Sequence, residues 1–312
     1  MMKNTMRALC ALMLVPIPVL LAGEGKEVKK VIEAAKESCI TGDLGVAAVS
    51  QYITRGVVLE NQGSIIQPFA DLYFKLYEGE GFVNKVSLNL GIWSSIQSEK
   101  TDAGLVSGTP GSSSTRNWYE FDYTVGLATT FAKNFTFTPS FYAFLSPNDG
   151  FSTFYGLNLN LAYNDSELWG GKFALNPSVT VLFELENKCG TGGDEGVYYE
   201  IALNPTFALG DFGSLAVPLK VGLGSNDFYG SLDASTGQIV DESFGYFSAG
   251  VVLSIPLKFV PECYGTWTLT GNATYYYLGA GTADFNTPAR GGNVRTDENN
   301  EWVFGGGLTV AF

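Results

Sequence analysis

The chain predicts an all-β fold: a transmembrane antiparallel β-barrel of about twelve strands with a short N-terminal helix. Three features carry this prediction. Hydrophobic and polar residues alternate from residue 44 onward, the connectors between runs alternate between short and long, and the chain opens with an export-type segment.

Residues 1–22 have the parts of a signal peptide. Lys3 and Arg7 form a positive start, Ala8 to Leu21 are apolar but too few for a comfortable membrane span, and the small residues Ala22 and Gly23 follow. No cysteine follows the cut, so no lipoprotein anchor is indicated. Residues 23–43 are expected as a periplasmic helix or tether. There Lys26, Lys29, Lys30, Glu33, Lys36 and Glu37 surround Val28, Val31, Ile32 and Ala35 at helical spacing. The barrel itself is expected over 44–312.

The clearest strand runs from Lys172 to Glu186. Phe173, Leu175, Val179, Val181, Phe183 and Leu185 take odd positions, while Lys172, Asn176, Ser178, Thr180 and Glu184 take even ones. One face is therefore apolar and the other polar. Twelve such runs are predicted, at 44–58, 64–77, 84–97, 118–132, 134–145, 153–164, 172–186, 196–209, 213–224, 244–258, 264–281 and 301–312. Most exceed the roughly five or six residues of an ordinary soluble strand and suit tilted strands that cross a bilayer.

The connectors sort by length. Those after even-numbered runs are short (around Glu78 to Val83, Lys133, Asp165 to Gly171, Gly210 to Phe212 and Val260 to Cys263), whereas 98–117, 225–243 and 282–300 are long. Short turns on one side and long loops on the other match an outer-membrane barrel with both termini in the periplasm. In the last run Trp302, Phe304, Gly306, Leu308, Val310 and Phe312 share a face, and the terminal Phe312 resembles the signal that the barrel assembly machinery recognises for insertion. Pro68, Pro139, Pro177, Pro205 and Pro218 oppose the assignment, because each removes a ladder donor from a predicted strand. All but Pro68 are expected near the periplasmic rim.

Composition narrows function. A formal net charge of -13 lacks the basic footprint of a nucleic-acid binder. With no histidine, the chain has no imidazole for a zinc site or a Ser-His or Cys-His pair. No catalytic residue, metal or cofactor is assigned, and the chain is not expected to be an enzyme. The Gly-rich stretch Asn187 to Gly196 joins two strands and lacks the ending of a phosphate loop, so it is expected as an external loop. Asp284, Asp297 and Glu298, or Asp227, Asp233, Asp241 and Glu242, offer carboxylates for calcium or for bridging lipid headgroups through divalent ions, but their spacing matches no EF-hand loop and they are expected as solvated loop charge. After loss of Cys10 with the signal, Cys39, Cys189 and Cys263 remain. The topology sets Cys189 at the far end, so Cys39 to Cys263 is the candidate disulfide, which would draw the helix across the barrel mouth.

Strand parity places Gln67, Asp71 and Lys75, then Ser87, Asn89 and Trp93, then Glu120 and Asp122, then Asn158, Asn160, Glu184, Glu200, Lys220 and Lys258 on the polar, lumen-facing side. Arg55 and Gln51 join them. Two readings of this set stay open: a hydrogen-bonded interior that plugs the barrel, or a narrow water-filled pore in which Arg55 faces Glu120 and Asp122 across a constriction.

The segment Ser50-Gln51-Tyr52-Ile53-Thr54-Arg55-Gly56, followed by Gln67-Pro68, Gly91-Ile92-Trp93 and Glu120-Phe121-Asp122-Tyr123, resembles the opening half of the TorF-like porin family. The likeness is clearest over residues 44–165. It implies an outer-membrane porin-like barrel without specifying a substrate. The expected function is passive diffusion of small polar solutes or ions, with outer-membrane lipid as the surrounding partner. An occluded structural or adhesive barrel and a secreted β-sandwich are the alternatives.

Overall fold

The computed structural model describes residues 38–99, 117–225, 227–233, 235–286 and 299–312. The expected signal peptide, the expected N-terminal helix, most of the 98–117 loop, Asp297 and Glu298 lie outside the described residues. Twelve antiparallel strands form the wall: β1 (Ile40–Val49), β2 (Ile65–Glu78), β3 (Val83–Gln97), β4 (Trp118–Phe131), β5 (Phe135–Leu145), β6 (Phe154–Tyr163), β7 (Phe173–Ala174 and Ser178–Glu186), β8 (Val197–Leu203 and Thr206–Ala208), β9 (Ser214–Ala216 and Leu219–Gly224), β10 (Phe244–Pro256), β11 (Thr266–Leu278) and β12 (Asn300–Ala311). Each pairs with its neighbours in sequence, and β12 pairs with β1, from Asp43 opposite Ala311 to Val49 opposite Gly305. The sheet closes, so no edge strand is left with unpaired backbone.

The wall inverts the pattern of a soluble protein. Leu44, Val46, Leu72, Val125, Leu127, Ile201 and Val251 are exposed, while Gln67, Ser87, Asn89, Asn158, Asn160 and Glu200 are buried. Apolar residues face outward and polar ones face the lumen, as a strand of period two requires when its outer solvent is hydrocarbon. Aromatic rings gather at both rims. At the turn end, Phe82, Phe131, Phe135 and Tyr163 form a chain of contacts with centroids 4.7 to 5.7 Å apart. At the loop end, Tyr275, Trp302 and Phe304 form another, at 5.3 and 6.1 Å. Such girdles sit where a bilayer meets water.

The prolines share one solution. Around Pro177, Pro205 and Pro218 the strands β7, β8 and β9 are interrupted, yet the register on either side is unchanged: Ser178 pairs with Ala202 and Ala174 with Thr206. The proline carbonyls still accept, from Tyr163, Val217 and Gly250 N–H groups respectively. Pro68 and Pro139 each pair with one neighbour, opposite Val46 and Leu159, where the ladder to the other neighbour lapses. A missing donor thus costs one side of a ladder and not the strand.

Several expectations are corrected. The first strand is Ile40–Val49 rather than 44–58, because the chain turns inward after Val49. The eleventh ends at Leu278, and Ala280–Phe285 form a short helix, α1, instead of continuing it. Lys258 lies in the turn after β10, exposed, with its Nζ 3.0 Å from Asp211 of the neighbouring turn. Cys39, Cys189 and Cys263 carry free thiols. Cys39 is tied to β2, its carbonyl accepting from the Lys75 N–H at 2.8 Å, whereas Cys263 follows β10, with β11 and β12 intervening. Even the two strand spacings from β1 to β11, about 4.8 Å each, exceed the reach of a disulfide.

Candidate functional site

The lumen is shaped by connectors at the loop end that fold back into it. After Val49 the chain makes a small hairpin, Tyr52–Thr54 against Val57–Glu60, with Thr54 paired to Val57. Arg55 and Gly56 are its two central residues, at φ 49° and 83°. Two consecutive positive φ values define the tight turn that matches strand twist, and glycine takes the second without strain. Gly56 is also closely packed, since a Cβ there would meet Thr282 Cγ2 at 3.1 Å and Tyr246 Cβ at 3.2 Å.

Neighbouring connectors clamp the hairpin. Tyr229, between β9 and β10, donates its hydroxyl to the Arg55 carbonyl at 2.9 Å. Asn286, after α1, accepts from the Val58 N–H at 3.0 Å and donates to the Gly56 carbonyl at 3.2 Å. Val58, Phe228, Tyr229 and Ala283 from these connectors join Tyr142, Phe144, Phe154 and Leu182 of the wall in one buried apolar cluster. The aromatic packing that holds the hairpin comes from both its flank and the wall.

The tip of the hairpin meets the wall at β3, β4 and β5, where Trp93 lies opposite Asp122 and Asp122 opposite Phe144. Tyr52 donates to Glu120 Oε2 at 2.9 Å and packs on Trp93, centroids 5.3 Å apart. The Arg55 guanidinium lies over the Phe144 ring, 5.3 Å from its centroid. No carboxylate among the described residues comes within 4.0 Å of it, so the predicted Arg55 to Glu120 or Asp122 contact is a facing arrangement and not an ion pair. Between them is a cavity of about 40 Å³ lined by Arg55, Asp71, Trp93, Glu120, Asp122 and Tyr142, among others. Gly91, opposite Asp71, leaves the room its carboxyl occupies.

The other predicted lumen residues separate into different tasks. Glu200 accepts from Tyr198 and Tyr246 hydroxyls at 2.8 and 2.9 Å and faces Lys220 Nζ at 3.2 Å. It is a satisfied wall charge. Glu184 turns from the lumen to its own connector, accepting from the N–H groups of Cys189, Gly190 and Gly196 at 2.6, 3.0 and 2.7 Å. Asn160 donates to Thr180 Oγ1 at 2.9 Å, and Asn158 and Gln67 are buried in the wall. At the turn end, outside the membrane span, burial pushes the Asp165 carboxyl up, but the N–H groups of Asn176 and Leu175 and the Trp169 indole outweigh it and hold the group below the usual range.

Sequence reasoning missed the hairpin, Tyr142 and Phe144. The signal for the first was present: a glycine after Arg55, inside a strand pattern, marks a bulge or turn. Tyr142 and Phe144 carry no such mark, since an inward aromatic looks like any other strand residue.

The closed wall, its apolar outer face and its two girdles make this an outer-membrane β-barrel of porin-like build. No family model and no curated protein matches the chain. Among solved structures, an outer membrane channel from Pseudomonas putida F1 is similar at 14% identity and a TM-score of 0.48, covering 92% of this chain and 100% of that one. The NanC porin is similar at 12% and 0.41, covering 86% and 98%. Salmonella typhi OmpF is similar at 9% and 0.36, covering 88% and 97%.

Proposed function

We propose that the protein is a narrow passive channel for small polar solutes and ions, with the Arg55 hairpin as its constriction. One observation carries this reading: the hairpin sets a buried guanidinium across a small polar cavity from Glu120 and Asp122. Around it the lumen-facing acids Asp43, Asp71, Glu120, Asp122, Glu200 and Glu301 outnumber Arg55, Lys75 and Lys220, which favours cations over anions. In this reading the long loops face outward from the cell, residues 1–22 direct export, and Phe312 addresses the chain to the barrel assembly machinery. The Glu120 and Asp122 pair belongs to permeation and not to catalysis. The TorF-like resemblance agrees with this role.

The test is the reversal potential of the purified protein in a planar bilayer under a salt gradient. Wild type is expected to prefer cations, and Arg55→Ala to prefer them more strongly, because the acids then act without their counter-charge. Unchanged selectivity and conductance would remove Arg55 from the channel. The second reading, an occluded structural barrel, is favoured by the apolar cluster of Val58, Phe228 and Tyr229 at the loop end. A wild type that conducts nothing would make it the leading one.

A further inference from the structure

The cavity beneath the hairpin gathers polar atoms that have no protein partner among the described residues. Arg55 Nε, Trp93 Nε1, the Tyr142 hydroxyl and Asp122 Oδ1 are all buried and make no hydrogen bond. All four residues line this one cavity. Arg55, Trp93 and Tyr142 are only 4%, 6% and 4% exposed. Buried polar groups are ordinarily paired, so unpaired ones that converge on a cavity mark the place of a ligand or of ordered water.

We propose that this cavity is a binding subsite for a small zwitterion of the α-amino-acid type. Its carboxylate takes the donors of Arg55, Trp93 and Tyr142, and its ammonium takes Asp122 and Glu120. The inference rests on the channel reading and names the class of its cargo. The donor and acceptor inventory selects this chemistry. A simple anion would satisfy Arg55 but would meet the carboxylates of Glu120, Asp122 and Asp71. A simple cation would satisfy Asp122 but leave the Arg55 and Trp93 N–H groups unpaired and meet the guanidinium. A neutral polyol could pair with each group yet supply no counter-charge to a buried arginine that has no carboxylate within ion-pair distance. Only a ligand with both charges answers both sides.

Size agrees with this choice. A cavity of about 40 Å³ has room for about three waters at 10–15 Å³ each, which is the scale of glycine. The aromatic walls, Trp93 packed by Tyr52 and Phe144 under the guanidinium, exclude water from the charged contacts and so strengthen them.

Glycine is the probe, read in two ways on the full-length protein. Calorimetry in detergent micelles measures binding, and single-channel recording measures reduction of the salt current. Glycolate, which lacks the ammonium, and ethanolammonium, which lacks the carboxylate, are the controls. Glycine is expected to bind and to lower the current, with both controls at least about tenfold weaker, the worth of one charge-assisted hydrogen bond. Trp93→Phe keeps the ring and removes one donor, so glycine binding should weaken by a similar factor while heat-modified gel migration shows an intact barrel. Glycolate binding as tightly as glycine would overturn the zwitterion assignment. A protein that conducts but binds no glycine would overturn the subsite and leave the channel standing. A protein that binds glycine but conducts nothing would support the subsite and overturn the channel.

Discussion

The wall and the in-folded connectors obey different rules. In the wall, each residue's environment is decided by parity: Val179, Val181 and Phe183 lie on one face, and Ser178, Thr180 and Leu182 on the other. Leu182 is apolar yet inward, and it is buried in the same apolar cluster as Phe228 and Tyr229 from the connectors. In the connectors, environment is decided by particular partners, such as Tyr229 on the Arg55 carbonyl and Asn286 on Val58 and Gly56. The wall makes a barrel, and the connectors fill the loop end of its lumen.

Substitutions should separate the two regions. The largest effect is expected on the outer wall. Ile201 is 53% exposed to the bilayer side, and Ile201→Arg should destabilise the barrel by about 2–4 kcal/mol, read by denaturant unfolding in lipid vesicles. Inside the wall, Glu200→Ala leaves Lys220 and two tyrosine hydroxyls without their shared acceptor. A loss of about 2 kcal/mol is expected in the same assay.

The connectors should respond in permeation more than in stability. Gly56→Val forces a branched side chain into positive φ and against Thr282 and Tyr246. It should cost about 1–2 kcal/mol and raise conductance by displacing the hairpin, while the barrel still forms. Raised conductance without loss of the barrel is the mark of a connector, and barrel loss would move Gly56 into the wall's account.

The smallest effect is expected at the turn end and depends on pH. The Asp165 carboxyl is held below its ordinary range in the folded protein, so its stabilisation is fully present above the unfolded carboxyl's pKa and is lost as pH falls through the lower folded value. Asp165→Asn should therefore be less stable than wild type by about 1 kcal/mol near neutral pH, with the difference disappearing in acid. A difference that persisted at low pH would assign the contact to packing instead of charge.

Parity made the wall legible. It located the strands through Pro177, Pro205 and Pro218, whose neighbours keep register across the breaks. It also placed Gln67, Glu120, Asn158, Asn160 and Glu200 inside. The connectors were less legible because their partners are distant in sequence. Val57 and Val58 look like strand residues after Ile53, and only Arg55–Gly56 betrays a turn. Glu184 has the parity of a pore residue, but its partners are backbone N–H groups that no side-chain pattern encodes. Ala280–Phe285 has too few apolar residues to show a helical period.

In the proposed channel the Arg55 hairpin, clamped among the other in-folded connectors, sets the narrowest point. The most direct test compares the single-channel conductance of wild type with that of a chain in which residues 51–61 are replaced by a short glycine-serine link. A small, cation-preferring conductance is expected of wild type and a severalfold larger one without the hairpin. Equal conductances in two folded barrels would contradict a constriction at the hairpin.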